Sequence, residues 1–262
     1  VKAVFDELDR PQPKHPFTIG IDDDVSHTSL RWDAGFRTDA SKQAVNALFY
    51  GLGSDGTVSA NKNSIKIIGD KTEGYAQGYF VYDSRKSGAV TVSHLRFGKQ
   101  KIRSTYLIGN GEAGFIACHQ PVFLERYRML DKAAPGCVFL LNSSLPADQV
   151  WASLPRSMQS AIIEKQIAFY TIDAYAIAEA SGLGRLINTV MQACFFALVE
   201  IIPKDEAIAA IKGAVHKTYQ KAGQRILEAN LNAIDAALTN LHRVKVPAEV
   251  TSQLEIPPPV PA

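Results

Sequence analysis

The stretch FYGLGSDGTVSANKNSIKIIG, residues 49–69, decides the fold. Its centre, Gly51-Leu52-Gly53-Ser54-Asp55-Gly56, matches G-x-G-x-x-G letter for letter. The residues before it, AVNALFYG, read as a strand running into a glycine-rich turn. After it, Val58, Lys62, Ile65 and Ile68 recur at helical spacing, and Gly69 is the expected stop. In the order strand, glycine turn, helix, glycines let the backbone approach a phosphate. The first N–H groups of the helix then present partial positive charge to it. A tight structural turn that touches no ligand explains the same residues, and the local pattern leaves both readings open. Asp55 sets a carboxylate beside the phosphate position. Lys62, on an otherwise apolar row, either snorkels to solvent or neutralises an anion.

Outward from this unit, YAQGYFVYD reads as a strand ending at Asp83, followed by a turn containing Arg85 and Lys86. VTVSHLRFG, STYLIG and AGFIACH read as further strands, and VFLERYRML has helical spacing. GCVFLLN is a short apolar run suited to a buried parallel strand. ADQVWASLPRSMQSAIIEK predicts a helix broken near Pro155, IAFYTIDA a strand, and the remainder helices. The alternation predicts an α/β fold: a mostly parallel, Rossmann-like sheet flanked by helices, with a helix-rich C-terminal third. Ile208, Ile211, Val215, Ile226, Ile234, Leu238 and Leu241 form the expected core stripe of that third. Residues 1–40, with PQPKHP and IDDDVSHTSLRWD, read as connecting chain, residues 41–246 as the domain, and the Pro-rich 247–262 as a linker. The absence of an initial Met and the EIPPPVPA ending suggest a piece of something longer.

Composition narrows the function classes. Against 28 basic residues stand 26 acidic ones, a balance that points to neither nucleic acid nor an acidic partner. The three cysteines, Cys118, Cys137 and Cys194, lie in apolar runs without any C-x-x-C pair, which removes zinc-ribbon, ferredoxin-type and thioredoxin motifs. The N-terminus has no apolar signal segment, and no apolar run reaches spanning length, so a cytoplasmic location without membrane contact is expected. Cys118 and His119 are adjacent in a predicted strand and point to opposite faces. They are therefore not read as a nucleophile–base pair, and His119 is expected at an interface.

Several colinear blocks together carry a resemblance. They are FYGLGSDGTVSANKNSIKIIG, YAQGYFVYDSRKSGAVTVSHLRFG, FIACHQ, CVFLLNSS, GLGRLINTVMQACFFAL and IPKDEAIAAIKGAVHKTYQKAG. They resemble the γ-type domain of the pyruvate:ferredoxin (flavodoxin) oxidoreductase family, over about residues 15–250. The resemblance implies an enzyme that decarboxylates pyruvate on thiamine diphosphate with Mg2+. It passes electrons through [4Fe-4S] clusters to ferredoxin or flavodoxin and captures the acetyl group on coenzyme A. It places thiamine diphosphate and the clusters in parts of the enzyme outside this chain, and coenzyme A in this domain, within a homodimer. The isolated fragment is expected to be inactive. This chain departs from the family pattern at GNGEAGFIACHQ, at NSSLP and at Leu186.

A coenzyme A site needs backbone donors, cations and an apolar slot. The candidates are Gly51, Gly53, Ser54, Asp55 and Gly56 in the turn, then Asn61 and Lys62, with Asn63 and Ser64 weaker. Asn142 and Ser143 qualify by lying at a strand's carboxyl end. Arg185 and Asn188 qualify by lying at a helix start, although Arg185 pairs equally well with Glu179. Arg85 and Lys86 read better as solvated. His94 and Arg96 share a strand face and either meet another domain or are satisfied internally. No catalytic residue and no metal ligand is assigned. Two other readings remain: a structural module in which the turn is scaffold, and an NAD-type domain using Gly51–Gly56 with Asp83 as the ribose acid.

Overall fold

The computed structural model describes residues 1–21, 24–33, 35–36, 44–53, 55–83, 89–104, 106–199 and 201–256. Ser54, Arg85 and Lys86 of the sequence candidates lie outside the described residues. The chain divides into two units, residues 1–39 and 40–262.

The first unit holds helix α1 (Lys2–Leu8) and two short strands, β1 (Thr18–Ile19) and β2 (Ser29–Leu30), paired in parallel. This stretch reads from sequence as connecting chain; its regular structure comes from acidic side chains that take up backbone donors. Buried Glu7 accepts from the Lys14 N–H at 2.8 Å. Asp24 accepts from the N–H groups of Thr28 and Ser29 at 3.1 and 2.6 Å.

The second unit is built on a seven-stranded sheet. Its strands in chain order are β3 (Val45–Leu52), β4 (Tyr75–Tyr82), β5 (Val90–Gly98), β6 (Ala113–Cys118), β7 (Ala133–Asn142), β8 (Ala168–Ile172) and β9 (His242–Arg243). Their order in space is β4-β5-β3-β6-β7-β8-β9. Strands β3, β6, β7 and β8 pair in parallel, while β5 is antiparallel to both β3 and β4, and β9 is antiparallel to β8. Five strands therefore run one way, as a mostly parallel sheet requires.

Helix α2 (Thr57–Lys71) follows β3. Next come α3 (Arg156–Glu164), α4 (Ala174–Ala180), α5 (Asn188–Leu198), α6 (Lys204–Tyr219) and α7 (Gln224–Thr239). Side chains of α2, α4, α5, α6 and α7 pack on one face of the sheet around Phe49, Phe97, Phe115 and Phe195. On the other face α3 and three 3-10 turns close over Leu48, Ile116, Phe139, Leu141 and Phe169. The result is a three-layer α/β arrangement. Cys118, Cys137 and Cys194 are all buried, and none forms a disulfide.

Some elements depart from sequence periodicity. α2 runs through Gly69 and stops at Thr72, whose hydroxyl returns to the Ile68 carbonyl at 2.8 Å. VFLERYRML forms two 3-10 turns rather than a helix. The long C-terminal helical run breaks at Gly223, whose φ of 105° is left-handed. The break resets the helical phase, so Leu227 is buried and Ile226 is exposed.

The described residues of STYLIG form no strand; a buried guanidinium holds them as a loop. Arg96 donates to Asn46 Oδ1 at 3.1 Å and to the carbonyls of Tyr106 and Leu107 at 3.1 and 3.0 Å, and it lies 3.7 Å from the Glu112 carboxylate. His94 Nδ1 accepts from the Ile108 N–H at 3.0 Å. Arg96 and His94 are thus satisfied within the unit. Burial, then the charges of Arg96 and Lys132, pull the His94 pKa down from 6.5 to about 4. The folded protein then binds fewer protons than the unfolded chain between these values. Stability from His94 is complete above pH 6.5 and is lost progressively as pH falls from there to about 4. By pH 5 the expected loss is about 2 kcal/mol, measured as a fall in the denaturation midpoint that His94→Gln abolishes.

The segment after β9 is anchored too. Gln159 Oε1 accepts from the N–H groups of Thr251 and Ser252 at 2.8 and 2.9 Å, while its Nε2 donates to the Trp151 carbonyl at 2.7 Å.

Candidate functional site

The chain leaves β3 toward β4 and β5 on one side, then returns to β6, β7 and β8 on the other. Adjacent parallel strands whose connections diverge leave a crevice at their carboxyl ends, where open α/β sheets bind ligands. The Gly51–Gly56 turn lies at this end, after β3, and His119 follows β6.

The turn is built from inside. Asp55 is buried, and both carboxylate oxygens take backbone donors: Oδ2 from the Leu52 N–H at 2.8 Å and Oδ1 from the Thr57 N–H at 2.9 Å. The Asp55 side chain therefore braces the turn and does not point at a ligand. Gly51 must be glycine, because a Cβ there would lie 2.4 Å from Thr57 Oγ1. Gly56 has φ 83°, and a Cβ on it would lie 2.9 Å from Asn188 Cγ. Gly56 is the residue before α2, and Asn188 is the first residue of α5, so two helix starts meet at one glycine. Neither Gly56 nor Ile187, the residues before the two helices, caps its helix with a side chain; at α2 the Asp55 carboxylate takes the Thr57 N–H instead. Apart from the Thr57 N–H that Asp55 takes, the first-turn N–H groups of the two helices carry partial positive charge near one glycine, an arrangement suited to an anion.

Behind the turn, the Thr57 hydroxyl and His119 Nδ1 are 2.8 Å apart, which ties α2 to the end of β6. The His119 ring stands edge-on to Phe49 and is buried, contrary to the expectation of an interface histidine. Burial lowers the His119 pKa, with Asp55 opposing, so the ring is neutral. Gln192 of α5 donates to the Ala60 carbonyl and to Ser64 Oγ at 3.1 and 2.9 Å, joining the two helices a turn further in. Cys118 packs on the opposite face of the sheet, so it and His119 do not form a pair.

The remaining candidates divide. Arg185 is exposed and sits 5.5 Å over the Tyr175 ring; the Tyr175 hydroxyl accepts from Gln120 Nε2. Asn61 is buried on α2 beneath the turn. Lys62 is exposed, with its ammonium 5.5 Å from the Phe80 ring centroid of β4, on the flank of α2. Asn142 is a brace: its amide donates to the His119 carbonyl at 3.0 Å and accepts from the Ala174 N–H at 2.9 Å. Ser143 Oγ accepts from the Leu145 N–H at 3.1 Å and closes a local turn. Ser64 Oγ donates to the Ala60 carbonyl at 3.0 Å. Asp83 follows β4, which β5 separates from β3, so it is two strands away from the glycine turn. In a dinucleotide fold the acid lies on the neighbouring parallel strand; the NAD-type reading fails on this topology. Thr57, His119, Gln192 and Tyr175 were not singled out by sequence for this site. The one available signal was Thr57 as the first residue after the last glycine.

The family model for pyruvate ferredoxin/flavodoxin oxidoreductase matches residues 46–239. The chain belongs to this oxidoreductase family. A pyruvate-flavodoxin oxidoreductase of Nostoc sp. is 57% identical over 95% of the chain and 20% of its own length. The pyruvate:ferredoxin oxidoreductase of Moorella thermoacetica is 54% identical over 95% of the chain and 21% of its own length. The chain thus spans about a fifth of the length of the curated relatives it matches. Among solved structures, subunit PORC of the pyruvate oxidoreductase of Thermotoga maritima superimposes with a TM-score of 0.60. It is 15% identical, over 78% of this chain and 99% of that one. A 2-oxoglutarate:ferredoxin oxidoreductase of Magnetococcus marinus, solved with 2-oxoglutarate, coenzyme A and succinyl-CoA bound, gives a TM-score of 0.56 at 16% identity. The match covers 83% of this chain and 34% of that one. These likenesses carry the fold of the oxidoreductase family. Among its described residues the family chain has no helix long and apolar enough to cross a membrane and no cluster of His, Cys, Asp and Glu suited to a metal.

Proposed function

We propose that this chain is the coenzyme A-holding domain of a pyruvate:ferredoxin or pyruvate:flavodoxin oxidoreductase. The observation that carries the reading is the meeting of two helix starts, those of α2 and α5, at left-handed Gly56. Coenzyme A bears a pyrophosphate and a 3′-phosphate, and the Gly56 end of the turn, with Asn188 and the first-turn N–H groups of α2 and α5, is the seat for one of them; the Gly53 and Asp55 N–H groups already serve the Ala89 and Leu52 carbonyls. Arg185 and Lys62 are the cations at the edges of this face, and Asn61 lies beneath it. The names of the relatives and the coenzyme A in the Magnetococcus protein support this choice of ligand.

In this reading residues 41–246 form the domain, and residues 1–40 and 247–262 lead to its neighbours. Its part in the reaction is positioning: holding the thiol near the acyl carbon replaces a bimolecular encounter. Thiamine diphosphate, Mg2+ and the [4Fe-4S] clusters belong to other parts of a homodimeric, cytoplasmic enzyme. Ferredoxin or flavodoxin is the acceptor for the whole enzyme. The chain alone reduces no acceptor with pyruvate.

The alternative, a purely structural module, is favoured by one surface. Tyr75, Tyr79, Val81, Tyr82, Tyr106 and Leu107 are exposed at the β4 edge, with Tyr79 and Tyr106 stacked at 5.1 Å. Such a patch suits packing against the thiamine domains.

Calorimetric titration of coenzyme A into the full-length protein separates the two. Saturable binding, about tenfold weaker in Lys62→Ala and absent for NAD, is the expected result. Binding that Lys62→Ala and Arg185→Ala both leave unchanged returns the turn to scaffold.

A further inference from the structure

Beneath α2 three buried polar atoms have no partner among the described residues: Asn61 Nδ2, Ser93 Oγ and His119 Nε2. Their residues are 3%, 0% and 2% exposed. They come from a helix and two strands, and topology brings them to one face of the sheet. Ser93 of β5 is registered opposite Phe49, as is Ala117 of β6, two residues before His119. The His119 ring stands against Phe49 and meets Thr57, and Asn61 follows Thr57 by one helical turn on the same side of α2. A buried donor without a partner is costly to the fold. Three such groups behind one turn point to an occupant.

The chemistry of the three groups sets what that occupant is. With the imidazole neutral, donation of the Thr57 hydroxyl proton to Nδ1 leaves the ring proton on Nε2. The His119 Nε2–H and the Asn61 amide are then both donors, and the Ser93 hydroxyl serves either way. We propose that Asn61, Ser93 and His119 form an inner oxygen site behind the glycine turn, holding one acceptor oxygen between the imidazole and amide donors. The oxygen comes either from an internal water or from a ligand bound at the turn. In both cases it fixes α2 and the turn against β3, β5 and β6. The site stands on these three residues and does not depend on the ligand being coenzyme A.

The test is a high-resolution crystal structure of the full-length protein, with and without coenzyme A, together with hydrogen exchange of α2 in Asn61→Leu and Ser93→Ala. An isolated density peak within hydrogen-bond distance of Asn61 Nδ2 and His119 Nε2 identifies water. A peak continuous with the ligand identifies a ligand oxygen. Either supports the proposal, and each substitution is then expected to speed exchange across α2 about tenfold. If instead the three groups face only hydrocarbon, there is no peak, and Asn61→Leu and Ser93→Ala leave α2 equally or better protected, because removing an unpaired buried polar group is favourable. That result overturns the oxygen site whatever the outcome of the coenzyme A titration. Conversely, failure of coenzyme A to bind leaves the peak and the direction of the exchange change as the deciding readings.

Discussion

Replacing Arg96 by leucine is expected to lower the stability of the sheet unit by about 3–5 kcal/mol, the largest effect of any single substitution considered for this chain. Arg96 is 2% exposed in the middle of β5, and its guanidinium reaches Asn46 on β3 and the carbonyls of Tyr106 and Leu107. Burial lowers its pKa, with Glu112 opposing. The charge is tolerated because nearly every donor has an acceptor. Leucine takes those donors from the Tyr106 and Leu107 carbonyls, and the Glu112 carboxylate loses its nearby cation. The ordered loop over His94 should loosen as well, and Tyr106 should leave Tyr79. Denaturant titration measures the loss, and hydrogen exchange across residues 106–112 locates it. A loss below about 1 kcal/mol would show that Arg96 behaves as a surface ion and that this network does not hold the loop. Arg96→Lys should recover little, since an ammonium cannot fork to two carbonyls and an amide at once.

The second large effect is at Gly56. Valine there is expected to cost about 3 kcal/mol and to weaken coenzyme A binding at least a hundredfold. Two physical causes add. A left-handed φ of 83° is unfavourable for a β-branched residue, and the Cβ would stand 2.9 Å from Asn188 Cγ. They can be separated with Gly56→Ala. If contact with Asn188 dominates, Gly56→Ala combined with Asn188→Ala regains most of the stability lost in Gly56→Ala alone. If the backbone dominates, the second change restores nothing. The affinity readout is independent of both: near-wild-type coenzyme A binding in a folded Gly56→Ala variant would contradict an anion seat at this glycine.

Much of the fold was written in local pattern. β3, β4, β5, β6 and β8 fall where alternation and short apolar runs put them, because strand periodicity follows directly from the pleat. The break at Pro155 is present because proline cannot serve the helix interior. The glycine turn was legible for the same reason: close approach and positive φ demand glycine, and the chain shows it. The colinear blocks likewise identified the family from residues alone.

What the tertiary structure decided concerns partners distant in sequence. Thr57 meets His119 across 62 positions, and Asn188 closes on Gly56 from another helix. No periodicity encodes those distances, so the sequence does not show the buried groups under the turn, and residue type alone points His119 to an interface. The insertion of antiparallel β5 between β4 and β3 moved Asp83 away from the turn and ended the NAD-type reading. The side chains of Asn142 and Asp55 serve backbone groups distant from or within the turn, a task that residue type along the chain does not reveal. The sequence by itself determined β3 to β8, the glycine turn, most of the helices and the family, since each rests on spacing or residue type along the chain. Which atoms face one another at the carboxyl ends of β3 and β6 was decided only when strand order and helix packing brought them together.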